Sequence, residues 1–402
     1  MKILLACQTA TNKGDRAIAE YVIAQLVEQG HEVTLSTTRP DLWKGLSKKQ
    51  ISVIGMGYKC IHDNVKNVFV QKALRVFGRL TCDKLLYSSL IAPKGKRRLC
   101  QYVSRKFISA VKDADLVIVT GGHHITSIRE KNALFQFTYD IGLISLYAKK
   151  YVLWSQTIGP LSFSSDRARL FIGNIIKKAE KVFIRDDNSL RCVEELYGKT
   201  DNLVRTYDSV FGYGNIVFSD VADREKKVGI SIFDGLKKAF KTYETIAEML
   251  DWYAMEGYAI EFFRMEHNDF EANNIHQIIS LMKRNANIKI HPFLTTTQEH
   301  LENVASCRCF IGYKTHSVIM ALTTATPLIA IAYHEKTVDF MNDFGLSDYV
   351  ILDDELDLEK AKKCMCSMRN NLEQIQKKQR YVAQQIADQL LNDLCEMVNN
   401  ER

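Results

Sequence analysis

The sequence has little of what marks a disordered, membrane-spanning or secreted chain. Only 5 of its 402 residues are proline and it has no low-complexity tract, which argues against long disordered linkers. No apolar run approaches the ~20 residues of a membrane-spanning helix. The first apolar stretch turns polar too early for a secretory signal and predicts a buried strand instead. At this length, and with 46% hydrophobic residues, we expect two globular domains.

The 10 cysteines lack the spacing of a zinc site. Cys307 and Cys309 are separated by one residue rather than two, and so are Cys364 and Cys366. Most of the others lie inside apolar runs, where cysteine acts as a small hydrophobic residue. We therefore expect free thiols in a reducing cytoplasm, and no metal site.

Acidic residues are almost absent from one segment, 66–106. It contains 11 lysines and arginines against Asp83 alone, while the whole chain carries a formal charge of +7. Apolar residues are interleaved with these charges, which is typical of a helix at an anionic membrane surface. A solvated helical insertion packed on the first domain explains the pattern equally well. Nucleic acid is disfavoured as a partner, because no stacking aromatics or known motif accompany the charge.

Apolar strands alternate with helical patterns in both halves of the chain. The predicted strands lie at 2–8, 31–38, 114–122, 149–159, 181–187, 226–233, 258–265, 288–293, 307–313 and 326–333. Continuous apolar strands separated by helices indicate parallel sheets covered on both faces. We predict an α/β fold of two Rossmann-like domains, 1–215 with a basic insertion at 60–110, and 226–402 with a closing C-terminal helical segment. Ligands of such sheets bind at the carboxyl ends of the strands, so we expect the site in a cleft between the domains.

The turn after the first strand, TNKGDRAIAE at 11–20, has features of an anion site. Gly14 frees the backbone, and Asp15 is placed to cap a helix predicted at 17–30. The N-terminus of a helix offers N–H groups to an anion. The stretch is not G-x-G-x-x-G, so a dinucleotide is not indicated. A plain strand–helix turn fits the same residues.

Two further strand ends of the first domain carry polar residues. TGGHHITS at 120–127 combines Gly121 and Gly122, which allow close approach of a ligand, with His123 and His124, which can transfer protons near neutral pH. We predict that one of these histidines lines the cleft. Gln156 ends another strand, in WSQTIGP.

Arg185 ends a third strand of the first domain. An arginine at that place is a candidate ligand for a phosphate or a carboxylate. A salt bridge to Asp186 or Asp187 is the alternative interpretation. Asp208, in YDSVF at 207–211, is predicted to act as a base or a helix cap.

The second half brings two pairs of basic residues to one edge of its sheet. Lys314, Thr315 and His316 follow a strand and open a helix, and His334 and Lys336 follow the next parallel strand. The helix N-terminus already favours negative charge there. Because both strands end at the same edge of the sheet, these basic residues predict that a single anionic ligand binds there.

Short motifs recur in order along the chain: G-D-x-A-I at 14–18, a glycine-rich strand end at 121–122, Q-x-I-G-P at 156–160 and R-D/E-x-x-S at 185–189. A longer set lies at 298–346, in Gly312, Lys314, His316, Pro327, Tyr333, Lys336, Phe340 and Gly345-Leu346. In this order and spacing, the motifs resemble those of the polysaccharide pyruvyl transferase family over most of the chain, most strongly at 298–346. The chain departs from the family at Lys314, where arginine is usual, and at His123-His124, where glycine is more common.

The resemblance implies a GT-B-like architecture and transfer of the enolpyruvyl carbons of phosphoenolpyruvate onto two hydroxyls of a sugar, which gives a pyruvate ketal and phosphate. This donor carries a phosphate and a carboxylate, so it needs several cations, and Arg185, Lys314 and Lys336 are the candidates. Protonation at C3 needs a general acid, for which His316 is the best candidate. Three residues remain open as the base for the sugar hydroxyls: His123, His124 and Asp15.

The resemblance also implies the partners. Phosphoenolpyruvate is the donor substrate, and the reaction needs no metal, nucleotide or other cofactor. The acceptor is a glycan of a cell-surface polysaccharide, typically a lipid-linked repeat unit at the cytoplasmic face of the membrane. Segment 66–106 would suit peripheral contact with that membrane.

Two alternatives remain open. A GT-B glycosyltransferase with a nucleotide-sugar donor would share the fold and the need for cations, and Glu335 or Asp339 could bind its ribose. A non-catalytic member of the family within a polysaccharide assembly is suggested by Lys314, because lysine cannot form the bidentate fork of arginine.

Overall fold

The structure of the chain, a computed structural model, forms two compact units. Unit 1 consists of Met1–Ala10 and Ile18–Asp208, and unit 2 of Thr11–Ala17 and Ser209–Arg402. The structure describes residues 1–9, 12–46, 51–57, 69–70, 103–128, 136–163, 165–233, 239–284 and 287–399. Segment 66–106, except 69–70 and 103–106, lies outside the described residues, so both interpretations of it stay predictions.

Unit 1 is built on a parallel sheet. Its strands are β1 (Lys2–Gln8), β2 (Glu32–Thr37), β3 (Ile51–Gly55), β4 (Leu116–Val119), β5 (Gly122–Ile125), β6 (Tyr151–Ile158), β7 (Val182–Ile184) and β8 (Leu203–Arg205). They run in the order β3-β2-β1-β4-β6-β7-β8, with β5 paired to β6, and all pairings are parallel. All 8 residues of β6 are buried, as expected for a strand covered on both faces.

Within the described part of the chain, five helices accompany this sheet. They are α1 (Lys13–Glu28), α2 (Arg105–Asp113), α3 (Gln136–Tyr147), α4 (Asp166–Lys178) and α5 (Asp187–Tyr197). The core packs the central strands against apolar faces of these helices, for example Phe107 of α2, Ile144 of α3 and Ile172 of α4. The first turn of α1 belongs to unit 2, and the rest of the helix belongs to unit 1.

Unit 2 repeats the alternation of strands and helices. Its strands are β9 (Lys227–Ser231), β10 (Ala259–Phe263), β11 (Ile288–His291), β12 (Cys309–Gly312), β13 (Leu328–Ala332) and β14 (Val350–Leu352), in the parallel order β11-β10-β9-β12-β13-β14. Its helices are α6 (Ala239–Met255), α7 (Asp269–Leu281), α8 (Thr297–Ser306), α9 (Thr315–Thr323), α10 (Glu335–Asp343), α11 (Leu358–Asn370) and α12 (Leu372–Asn399). Gln379 of α12 is buried and donates to the carbonyl of Thr326 at 3.1 Å, which ties the last helix to the unit.

The predicted α/β architecture with two parallel sheets and closing C-terminal helices is confirmed. The strands that the sequence did not reveal are β3, β5, β8 and β14, of which β3, β8 and β14 lie at sheet edges. An edge strand is covered on fewer sides, so it lacks a continuous apolar run, and no residue of β8 is fully buried. Among the described residues, no helix is long and apolar enough to cross a lipid bilayer.

Candidate functional site

The candidate site of unit 2 begins at the first turn of α1. The helix starts at Lys13 rather than near 17, and its cap is Asn12 rather than the predicted Asp15. The Oδ1 atom of Asn12 accepts from the backbone N–H groups of Gly14 at 2.8 Å and Asp15 at 3.3 Å. Asp15 instead lies in the first turn, half-buried, where a carboxylate interacts favourably with the helix dipole.

Lys13 anchors this turn to the body of unit 2. Its side chain is fully buried, and Nζ donates to the carbonyl of Phe293 at 2.8 Å and to Thr295 Oγ1 at 2.9 Å. The ammonium also lies 5.4 Å from the centre of the Phe293 ring, where a cation is attracted to the π face. The backbone N–H of Lys13 donates to the carbonyl of Met265 at 2.9 Å. The start of α1 is therefore held on the loop that follows β10.

His316 packs directly on this turn. Its imidazole occupies the space beside Gly14, where the Cβ of any other residue would overlap the ring. His316 lies in the first turn of α9 and is half-buried. The N-terminal turns of α1 and α9 are therefore in contact, and both helix dipoles favour negative charge at this place.

Lys314 is the N-cap residue of α9, and its side chain is linked to the same turn through Glu266. It gives no side-chain hydrogen bond to the first turn of α9. Its Nζ donates to Glu266 Oε1 at 2.8 Å, and the side chain is only 8% exposed. The same oxygen of Glu266 accepts from Asn12 Nδ2 at 2.6 Å. Glu266 thus joins the cap of α1 to the cap of α9.

A second buried carboxylate fixes the backbone beside Glu266. Glu271 is fully buried in the first turn of α7, and it accepts from the backbone N–H groups of Met265 at 2.8 Å and Glu266 at 3.0 Å. Burial raises the pKa of Glu271 to about 7, although these two hydrogen bonds act in the opposite direction. Burial also raises the pKa of Glu266, and its contact with Lys314 opposes the rise.

The raised pKa of Glu271 predicts a pH-dependent stability. Because the folded state binds this proton more tightly than the unfolded state, its contribution to the free energy of unfolding is fully present below the ordinary glutamate pKa of 4.5 and is lost as pH rises to about 7. Relative to Glu271→Gln, the wild type should lose roughly 3 kcal/mol over this range. Urea unfolding of both proteins at several pH values measures the difference.

The exposed Glu299 of α8 provides the control for this experiment. Glu299→Gln should change the free energy of unfolding by less than about 0.5 kcal/mol, because substitutions of exposed residues affect stability little. A difference between wild type and Glu271→Gln that does not change with pH would show that burial does not hold the proton on Glu271.

Aromatic rings follow three adjacent strands of the unit 2 sheet. Phe233, Tyr313 and Tyr333 follow β9, β12 and β13. Phe233 and Tyr333 stack with their ring centres 3.9 Å apart, and the ammonium of Lys314 lies 5.9 Å from the centre of the Phe233 ring. The hydroxyl of Tyr313 donates to Asp353, and burial raises the pKa of this phenol. The ammonium of Lys314 therefore contacts the carboxylate of Glu266 and lies near the ring of Phe233.

The remaining predicted residues of unit 2 lie at the starts of α9 and α10. Thr315 is buried and its hydroxyl bonds that of Thr337 at 2.9 Å, which links the two helices. His334 is the N-cap residue of α10, and its Nδ1 accepts from the backbone N–H of Lys336 at 3.4 Å. His334 and Glu335 are exposed, and Lys336 is half-buried. His334 and Glu335 also line a groove of about 330 Å³.

Unit 1 contains the predicted glycine and histidine residues. His124 is buried and its ring fills the space beside Gly122, where a Cβ would lie 2.5 Å from Nε2. His123 is half-buried, and its Nε2 contacts the carbonyl oxygen of Gly159. A Cβ on Gly121 would lie 3.0 Å from the carbonyl oxygen of Ser155. The glycines therefore allow close packing within unit 1.

Gln156 has a structural environment in the same unit. It is fully buried, and its Nε2 donates to the carbonyls of Trp154 at 3.0 Å and Val119 at 3.2 Å. These bonds tie the end of β6 to the end of β4. The backbone beside it is strained, because Ser155 has a φ of 51° without being glycine.

Arg185 forms a buried ion pair, but not with either predicted partner. Its Nη1 donates to Asp208, with side-chain exposures of 4% and 0%, and its Nε donates to Thr157 Oγ1 at 2.8 Å. Asp186 instead caps α5, where it accepts from the N–H of Ser189 at 2.8 Å. Asp187 pairs with Arg205 at 2.6 Å. The prediction of Asp186 or Asp187 as partner was wrong, and Asp208 is neither a free base nor a cap.

The sequence analysis missed Glu266 and Asn12. Both occupy positions of the kind that pointed to other site residues, because Glu266 lies just beyond the end of strand β10 and Asn12 lies just before the start of helix α1. What no spacing could show is that they meet each other, 254 residues apart in the chain.

Comparisons with known proteins identify both the family and the fold. A family model described as polysaccharide pyruvyl transferase matches residues 12–335. No curated protein matches the chain significantly.

Solved structures share the fold at low sequence identity. The Anabaena protein HepE in complex with UDP-glucose is 12% identical with a TM-score of 0.59, and the match covers 100% of each chain. A glycosyltransferase from Rickettsia africae is 14% identical with a TM-score of 0.57, covering 100% of this chain and 98% of that one. UDP-GlcNAc 2-epimerase from Methanocaldococcus jannaschii is 10% identical with a TM-score of 0.55, covering 92% of each chain. These likenesses show the fold alone, which is that of GT-B glycosyltransferases.

Proposed function

Because the chain belongs to the polysaccharide pyruvyl transferase family, we propose that it moves pyruvate from phosphoenolpyruvate onto two hydroxyls of a sugar in a cell-surface polysaccharide precursor. The observation that carries this proposal is the packing of His316 on the N-terminal turn of α1, together with the link from Lys314 through Glu266 to the cap of that turn. A cation, a histidine and two helix N-termini suit a donor with a phosphate and a carboxylate.

Lys314 and Lys336 neutralise the donor in this proposal. Lys314 opens α9, and Lys336 lies in the first turn of α10. Arg185 stays a predicted donor ligand, although its guanidinium already pairs with Asp208. Gly14, Gly121, Gly122, Gln156, Thr315 and His334 stay predicted to shape or line the substrate site.

His316 is the proposed general acid. One sugar hydroxyl attacks C2 of the donor while C3 receives a proton, and the second hydroxyl then displaces phosphate. The methyl group gains one proton and the phosphate leaves with the other, so the two hydroxyl protons balance the reaction. His316 delivers the proton to C3 as general acid.

Asp15 is the base that the geometry favours among the three candidates. It is half-buried on the turn that carries Gly14, against which His316 packs. Its charge also contributes to the raised pKa of Glu266, so it lies within electrostatic range of the Lys314 site. His124 is only 3% exposed, and the Nε2 of His123 contacts the carbonyl oxygen of Gly159. We therefore propose Asp15 as the group that accepts the hydroxyl protons.

A lipid-linked repeat unit at the cytoplasmic face of the membrane is the proposed acceptor. The positive charge and apolar residues of segment 66–106 support this choice, because both favour contact with anionic lipid. The protein would then act in the cytoplasm, at the inner face of the membrane.

Donor selectivity tests the proposal against the glycosyltransferase alternative. Phosphoenolpyruvate at 100 times its Kd should raise the midpoint of thermal unfolding, corresponding to about 2.7 kcal/mol of stabilisation, because it binds only the folded state. UDP-, GDP- and CMP-sugars should cause no shift. A shift with a nucleotide-sugar and none with phosphoenolpyruvate would favour the glycosyltransferase, and a shift with neither would favour a non-catalytic role.

Replacing Gly14 by alanine should lower activity far more than stability. The methyl group would displace the ring of His316. Because small displacements of a catalytic group are costly, pyruvate transfer should fall about 10²-fold. Crowding of this kind costs about 1–3 kcal/mol of the free energy of unfolding, and the helix preference of alanine over glycine, about 1 kcal/mol, offsets part of that loss.

Gly55→Ala is the matched control, since no atom lies within 4 Å of the added methyl group. Transfer rates and unfolding midpoints of both variants make the comparison. Full activity of Gly14→Ala would argue against His316 acting from its present place.

A further inference from the structure

Glu266 connects the proposed donor cation to the start of α1. Its Oε1 accepts from Lys314 Nζ at 2.8 Å and from Asn12 Nδ2 at 2.6 Å. Its backbone is held by Glu271 and by an antiparallel bridge to Asn12. A carboxylate fixed in this way determines where the ammonium of Lys314 lies. Glu266 has no assigned part in the reaction derived above.

Charged side chains of both signs surround Glu266. The elements packed there contribute Lys13 and Asp15 of α1, Arg264 and His267 next to Glu266 on the loop after β10, Glu271 of α7, and Lys314 and His316 of α9. Lys13 is turned away, because its ammonium bonds Phe293 and Thr295, and the ring of His267 lies 5.3 Å from that of Phe293. Arg264 pairs with Glu271 at 3.6 Å. Lys314 is therefore the cation that neutralises Glu266 directly.

A phosphate that binds Lys314 must compete with this carboxylate. The phosphate would bring its negative charge to the ammonium that Glu266 now holds, and like charges at such distances repel strongly in a partly buried site. The repulsion is relieved if the carboxylate takes up a proton. A protonated carboxyl keeps an oxygen that accepts from Asn12 and no longer neutralises Lys314.

We propose that Glu266 positions Lys314 while no anion is bound and takes up one proton from solvent when the phosphate of the donor binds Lys314. The identity of the donor rests on the function proposed above, but the proton uptake belongs to any tetrahedral dianion bound there. Burial already favours the neutral carboxyl of Glu266, which agrees with this role. The proton returns to solvent when the anion leaves.

Calorimetric titration of the full chain tests the proposal. The probes are phosphoenolpyruvate above pH 7.5, where its phosphate is fully ionised, and sulfate, which does not titrate in this range. Each titration is made in two buffers of different ionisation enthalpy, so that proton uptake is measured directly. The wild type should take up between about half and one proton per bound anion, and its affinity should fall as pH rises.

Two variants of Glu266 separate the effect of its charge from the effect of its hydrogen bonds. Glu266→Gln keeps an oxygen for Lys314 and Asn12 but cannot titrate, so it should bind the anion about tenfold more tightly at pH 8.5, with no proton uptake and no pH dependence. Glu266→Ala should bind more weakly than Glu266→Gln, because Lys314 is no longer held. Asp269→Asn removes an exposed carboxylate of α7 and should behave as the wild type.

The possible outcomes separate the role of Glu266 from the proposed function. Tight binding of phosphoenolpyruvate with no proton uptake by the wild type would overturn the role of Glu266 and leave the proposed function intact. Unchanged uptake in Glu266→Gln would assign the proton to another group and overturn the role equally. Binding of neither anion would remove the donor site itself, and the proposed function with it.

Discussion

Replacing His316 by glutamine is expected to lower the rate of pyruvate transfer by about 10²–10⁴-fold, the usual contribution of a general acid. Glutamine fills similar space beside Gly14 but cannot deliver a proton to C3 of the donor. The binding of phosphoenolpyruvate should change little, because the cations and helix N-termini that we propose as its ligands remain. Steady-state kinetics give the rate, and calorimetry gives the dissociation constant for the donor.

His276→Gln is the matched control for this substitution, since His276 lies exposed on α7, far along the helix from its first turn. It should retain full activity. Loss of donor binding together with activity in His316→Gln would mean that His316 binds the donor, and an active His316→Gln enzyme would mean that the proton comes from another group.

Replacing Asp208 by asparagine is expected to cost 3–5 kcal/mol of the free energy of unfolding, about the effect of leaving one member of a buried ion pair without its partner. The side chains of Arg185 and Asp208 are 4% and 0% exposed, so water cannot replace the lost carboxylate. Urea unfolding followed by circular dichroism measures the loss. The double variant Arg185→Met/Asp208→Leu should recover most of it, because it leaves no buried charge.

Asp187→Asn removes a carboxylate of the same kind from a pair at the surface. The side chain of Asp187 is 72% exposed in its contact with Arg205, so its loss should change stability by less than about 1 kcal/mol. Equal effects of Asp208→Asn and Asp187→Asn would contradict the assignment of Arg185 to a buried pair that supports unit 1.

The sequence predicted those features that depend on local pattern. Central strands such as β6 and β12 were found because a strand buried on both faces must be apolar at nearly every position. Lys314 and His316 were predicted as site residues because they directly follow such a strand and open a helix, and the structure places both at the start of α9. The edge strand β8 was missed because it lacks this pattern.

Features that depend on distant partners could not be predicted. Glu266 meets Lys314 across 48 residues and Asn12 across 254, and no spacing rule connects them. The same limit explains the error at Arg185. Two aspartates lie next to it in sequence, but Asp186 is used as a helix cap and the ion pair forms with Asp208, 23 residues away.

The most direct test of the proposed pyruvate transfer is incubation of the protein with phosphoenolpyruvate labelled in its carbon atoms and with lipid-linked saccharides. We expect phosphate to be released in equal amount to label that appears on the sugar as a pyruvate ketal, and both to fall strongly in Lys314→Ala and His316→Gln. Transfer of a sugar from a nucleotide donor onto the same saccharides, with the label remaining in phosphoenolpyruvate, would contradict it.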